Sequence, residues 1–134
     1  MPLAAPNYCP CGSTVAASQC CSRFIYQGQA ASTALELMRS RYSGHVCGAI
    51  EYLWETWSES TRHRTSIAAI REWATSCEWL GLEILDWQGG GHSDSQGTVT
   101  FSATYRIGQQ THRHLEKSAF CRENGFWRYF DHCA

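Results

Sequence analysis

Apolar residues recur along this chain with two different periods. Between residues 33 and 77 the spacing is helical. Thr33-Ala34-Leu35-Glu36 has the form of a capping box, so a helix starts at Ala34 and runs toward Gly44 or Gly48. Leu35, Met38, Tyr42 and Val46 make its apolar stripe, and Arg39 and Arg41 fall off that stripe, on a face read as solvated. A second helix places Ile50, Leu53, Trp54 and Trp57 at i, i+3, i+4 and i+7. After a polar loop over 58–65, Ser66 caps a third helix with Ile67, Ile70, Trp73, Ala74 and Cys77 on one side. From Trp79 the period becomes two. Strands are predicted over 79–87, 98–106, 111–123 and 126–131, with a glycine-rich flexible loop over 88–97, a four-residue turn at 107–110 and a two-residue turn at Asn124-Gly125. Three helices followed by an antiparallel meander define an α+β class.

The turn lengths fix a register. Around Asn124-Gly125, Arg122 faces Trp127, Phe120 faces Tyr129 and Ser118 faces Asp131. Around the four-residue turn, Tyr105 faces His112, Ala103 faces His114, Phe101 faces Glu116 and Val99 faces Ser118. One sheet face then carries apolar residues on one strand and His114, Glu116 and Asp131 on its neighbours. Ionisable groups on such a face must be paired, neutral or solvated in a cavity. Two readings follow: an internal hydrogen-bond network, or a small-molecule pocket formed by Trp54, Tyr105, His114, Glu116, Trp127, Tyr129 and Asp131, with histidine and a carboxylate as an acid-base pair. In either, one carboxylate is expected to titrate above its ordinary value unless His114 compensates it.

Ahead of the helices stands a different pattern. Cys9-Pro10-Cys11-Gly12-Ser13 is followed eight residues after Cys11 by Cys20-Cys21, four thiols in the arrangement C-x-C-x8-C-C. Such spacing lets Cys9, Cys11, Cys20 and Cys21 converge on one tetrahedral metal ion, Zn2+ in the first instance and Fe2+ as the alternative, because thiolates are soft donors. Pro10 and Gly12 shape the tight loop, and Ser13 is placed to cap a short helix over 14–20. The rival reading is disulfides. Residues 1–8 show no basic and apolar export signal, so a reducing cytoplasmic setting is expected, and bridges between such close cysteines are strained. Cys47, Cys77 and Cys121 read as buried thiols, and Cys133 carries no mark of activation.

The string CPCGS with a following Cys-Cys pair resembles the SEC-C motif, a zinc-binding module. Segments 34–43, 79–85 and 114–120 resemble the YchJ-like family of uncharacterised bacterial proteins. That resemblance implies a SEC-C knuckle, residues 1–31 with its connection, followed over 32–134 by a nuclear transport factor 2-like domain, a cystatin-like cone of helices on a curved antiparallel sheet. Thr14 departs from the motif, where a second glycine is usual, and the second, C-terminal motif of some relatives is not seen before Ala134.

Charge narrows the function classes. Eleven basic against twelve acidic residues leave a net charge of −1, which excludes a general nucleic-acid footprint, and no apolar run reaches the length of a membrane span. No phosphate-binding glycine loop, G-x-S-x-G elbow or H-E-x-x-H helix occurs. The expectation is a metal-binding protein that docks a protein partner through the knuckle or holds a small ligand. The alternative is a small-molecule enzyme working from the sheet face.

Overall fold

The computed structural model describes residues 8–133; residues 1–7, most of the stretch read for export signals, lie outside them. A 3-10 turn at Ala17–Gln19 and a single helical turn, α1 (Ser22–Ile25), follow the first cysteines. Then come α2 (Ala34–Cys47), α3 (Ile50–Glu55), a 3-10 turn at Arg62–Arg64 and α4 (Ile67–Thr75). The four strands β1 (Glu78–Gly89), β2 (Gln96–Ile107), β3 (Gln110–Glu123) and β4 (Phe126–His132) form one antiparallel sheet in chain order. The class is α+β, with the helices laid on one face of the sheet. Among the described residues no helix is long and apolar enough to cross a membrane.

The caps act where the sequence places them. Thr33 accepts a hydrogen bond from the Glu36 amide at 3.1 Å, and the Glu36 carboxylate returns to the amide of Ser32 at 2.8 Å. Ser66 caps α4 through the Ala69 amide. The short helix expected over 14–20 does not form. Thr14 stands at φ 63°, in the left-handed region, which breaks the helix before its first turn, and Ser13 turns its hydroxyl to Cys20 instead. The glycine-rich stretch is also shorter as a loop than expected, because β1 continues to Gly89 and β2 begins at Gln96.

Helix α2 departs most from its expected half-solvated form. Ala34, Leu37, Met38, Ser40, Arg41, Tyr42, Ser43 and Gly44 are all buried along it. Leu37, Met38 and Tyr42 join Val99, Phe101, Phe120 and Trp127 in the main core between helix and sheet. On its second side α3 comes so close that a Cβ on Gly44 would stand 3.1 Å from Leu53. Arg41, read as solvated, is 6 % exposed, and Val46, read as core, faces solvent. A smaller core of Ile50, Leu53, Ile70 and Ala74 joins α3 to α4.

The β2–β3 register places Tyr105 opposite His112, Ala103 opposite His114, Phe101 opposite Glu116 and Val99 opposite Ser118. In β4 the register holds from Phe126 to Tyr129 and then slips, so that Asp131 faces Ala119 and His132 faces Ser118. The expected pairing of Ser118 with Asp131 is therefore incorrect. Its cause lies outside the hairpin: the segment after α3 pairs with β4 through Tyr129 N to Thr56 O (2.8 Å) and Ser58 N to Tyr129 O (2.7 Å). The Thr61 hydroxyl then donates to Phe130 O, and the strand bulges at that point.

Gly90 closes the contact between the β1–β2 loop and the start of α2. It sits at φ +76°, accepts a hydrogen bond from the Ala34 amide, and an added Cβ would fall 2.6 Å from that of Ala34. Gly108, at φ +61°, has open space around it. Chemical denaturation should show Gly90→Ala costing about 3 kcal/mol, a backbone and an overpacking contribution together, against about 1 kcal/mol for Gly108→Ala. Equal costs would mean that the loop does not press on the helix.

Candidate metal centre and sheet-face cavity

The sulfurs of Cys9, Cys11, Cys20 and Cys21 all lie within 4.8 Å of one another. The Cys11–Cys20 pair is 3.6 Å apart and the Cys20–Cys21 pair 4.0 Å. Metal–sulfur bonds of about 2.3 Å in a tetrahedron give sulfur–sulfur edges of about 3.8 Å, so the donor set fits a tetrahedral ion. All eight cysteines of the chain are free thiols. Cys9, Cys11 and Cys21 are buried, with Cys20 part-exposed. Thiols this close cannot all carry charge without a cation between them. Hydrogen bonds from Cys11 and Cys21 push Cys9 far below the ordinary thiol range, the same kind of neighbours push Cys21 far above it, and burial raises Cys20.

Local sequence and helix α2 together hold the cluster. The Cys9 amide donates to Val15 O, and Gly12, at φ +83°, donates to Cys9 O, which closes the loop with both sulfurs on one side. Arg39 reaches from α2 to donate to the carbonyl of Cys11 at 2.9 Å and lies 3.9 Å from its sulfur. Ser43, one turn on, meets the Cys9 sulfur at 3.5 Å, and Leu82 of β1 packs against the cysteines. Sequence reasoning missed Arg39 and Ser43. Their signal is the small residues Ser40, Ser43 and Gly44, which mark a helix flank built for close approach.

On the helix-covered face of the sheet a cavity of about 160 Å³, open to solvent on one side, lies between α2, the segment after α3, α4 and strands β1 to β4. Of the residues expected to line it, His114, Glu116 and Tyr129 do. Glu116 is held by three donors: His114 Nε2 at 2.8 Å, the Ser118 hydroxyl at 2.6 Å and the Tyr129 hydroxyl at 3.0 Å. Burial would raise its pKa, but these hydrogen bonds and the charge of His114 outweigh it and hold Glu116 down at about 2, while the Glu116 bond raises His114. Compensation by His114 is thus the branch the structure takes.

The other expected lining residues lie elsewhere. Asp131, carried past the bulge, pairs with Arg64 at 2.6 Å on the outside and is no part of the cavity. Trp127 is buried in the main core with its indole N–H donating to Ser32 O, and Trp54 packs on the α3–α4 core under Arg62. Tyr105 stacks on His112 and packs on Trp73 and Trp79, rings that themselves line the cavity.

Arg41, His45 and Trp73 are among the lining residues that escaped the sequence reading. Arg41 donates from Nη1 to Leu53 O at 2.8 Å and to Thr56 Oγ1 at 2.7 Å, with its guanidinium over the rings of Tyr129 (4.9 Å) and Trp57 (5.4 Å). Burial lowers it to about 10, so it stays charged at neutral pH. Burial and Arg41 together lower His45 to about 4, so its Nδ1 carries the proton donated to Arg41 O, 2.9 Å away.

A four-cysteine knuckle docked on the helix layer of a cone-shaped α+β fold defines the class of protein. The family described as "YchJ, middle NTF2-like domain" matches residues 33–132, and the chain belongs to this YchJ-like family. A "UPF0225 protein" of Geobacter sulfurreducens is 38 % identical over 125 residues, covering 93 % of this chain and 78 % of its own length. A second, of Chromobacterium violaceum, is 39 % identical over 122 residues, covering 90 % and 88 %. The solution structure of a SEC-C motif containing protein from Rhodopseudomonas palustris matches with a TM-score of 0.85 at 30 % identity, over 95 % of this chain and 98 % of that one. A crystal structure of a sec-c motif containing protein from Psychrobacter arcticus matches with a TM-score of 0.77 at 27 % identity, over 95 % and 82 %. The cysteine cluster and these neighbours together point to metal binding.

Glu116 links the cavity to pH. Its folded pKa lies below the unfolded one, so its contribution is present above about pH 4.5 and is lost as pH falls toward 2; a shift of that size corresponds to about 3 kcal/mol. His114 has the opposite sign, because its raised pKa stabilises the fold at low pH and that contribution fades as pH rises through the folded value. Glu116→Gln should flatten the acid limb of a stability–pH curve and let the NMR-measured pKa of His114 fall toward its ordinary value. An unchanged His114 titration in the variant would show that the pair is not formed.

Proposed function

We propose that this chain is a zinc-binding protein in which the metal is structural and pins the knuckle to helix α2. The observation that carries this is the convergence of four sulfurs within 4.8 Å. Four thiolates complete a tetrahedral shell, which leaves no position for a catalytic water. Zinc suits such closed structural sites, and iron is the alternative that the same donors accept. The knuckle and the domain behind it are read as two units sharing one interface through Arg39, Ser43 and Leu82.

The working role is binding: a protein partner at the knuckle and a small ligand in the cavity. Tyr8 and Val15 in the knuckle and Tyr26 just after it stay 56 %, 42 % and 64 % exposed, apolar area suited to a protein contact. An enzyme using the sheet-face histidine and carboxylate is the alternative reading. Glu116, ionised and already holding three donors, is a weak base, and this favours binding over proton transfer.

Metal analysis of reduced, freshly purified protein should give one zinc per chain, lost in the Cys20→Ser, Cys21→Ser double variant. One equivalent of iron would overturn the metal assignment alone. No bound ion, or an unchanged content in the double variant, would overturn the site.

A further inference from the structure

The cavity wall carries more hydrogen-bond donors than acceptors. Arg41 spends only Nη1 on recorded partners, a carbonyl and a hydroxyl, and makes no ion pair among the described residues. The residue lines the cavity beside Trp57, whose indole nitrogen is buried out of reach of the cavity. A buried cation with no opposite charge paired to it is costly. The carboxylate in the cavity, Glu116, is already occupied by His114, Ser118 and Tyr129.

Much of the rest of the wall is aromatic. Trp57, Trp73, Phe101 and Tyr129 present rings around a volume of about 160 Å³. An apolar cavity of roughly 150 Å³ admits a benzene ring. His114, with 42 % of its side chain exposed, stands where the cavity meets solvent.

We propose that the cavity binds a small aromatic or similarly flat carboxylate, its two oxygens accepting from the Arg41 guanidinium and its ring lying among the aromatic walls. Guanidinium matches a carboxylate with paired parallel hydrogen bonds, which a neutral amide reproduces poorly and an ammonium opposes. This rests on the reading of the cavity as a ligand site.

The test uses the full metal-loaded chain with benzoate, benzamide and benzylamine as probes of one shape and three charges. Calorimetry and the indole N–H signals in NMR provide the readouts. Benzoate should saturate, shift the Trp57 and Trp73 indole signals and bind at least tenfold more tightly than benzamide, with benzylamine silent. Arg41→Gln should abolish the preference for benzoate, and where that variant does not fold the charge series on the unaltered protein still decides. Equal binding of benzoate and benzamide would overturn the carboxylate assignment and leave a ligand site. No response to any of the three probes would overturn both.

Discussion

Three bodies pack against helix α2 at once: the sheet, helix α3 and the cysteine knuckle. A helix enclosed in this way must present small side chains wherever a neighbour's backbone comes close, and large ones only where a core receives them. Ser40, Ser43 and Gly44 answer the first demand, Leu37, Met38 and Tyr42 the second. Its two arginines turn to protein partners instead of solvent. Arg39 ends on the carbonyl and sulfur of Cys11, and Arg41, two residues on, turns toward the cavity. One helix thus braces the metal centre on one flank and supplies the buried cation of the cavity on another.

That placement shapes the electrostatics of both sites. In the knuckle, thiols crowded around one point demand a cation, and Arg39 adds positive charge next to Cys11. In the cavity a carboxylate with three donors is a settled group, whereas a guanidinium resting on two aromatic faces and two neutral acceptors is not. The asymmetry between Glu116 and Arg41 is what favours the proposed recognition of an anion over proton transfer.

Where interactions are local the sequence was readable. The capping box at Thr33, the cap at Ser66 and the turn at Asn124-Gly125 follow from neighbours a few residues apart, and the pairing of Phe101 with Glu116 follows from the short turn between consecutive strands. The close cysteine spacing made the convergence of the four sulfurs legible for the same reason. What escaped was set at long range. Asp131 leaves the cavity face because the segment after α3 pairs with β4 and forces a bulge at Phe130, a contact that no hairpin rule contains. Arg41 looked solvated because a helical wheel assumes one buried side, and α2 has three. The helix expected over 14–20 failed on a single left-handed residue, Thr14, at the position where the SEC-C pattern has glycine.

The central claim is that helix α2 couples the cysteine centre to the rest of the fold. Amide hydrogen exchange before and after removal of the metal by a chelator tests it most directly. The account predicts that protection falls around Cys9 to Cys21 and also along α2 from Arg39 to Ser43, while β2 from Val99 to Tyr105 keeps its protection within an intact sheet. Loss confined to the knuckle, with α2 unchanged, would contradict it.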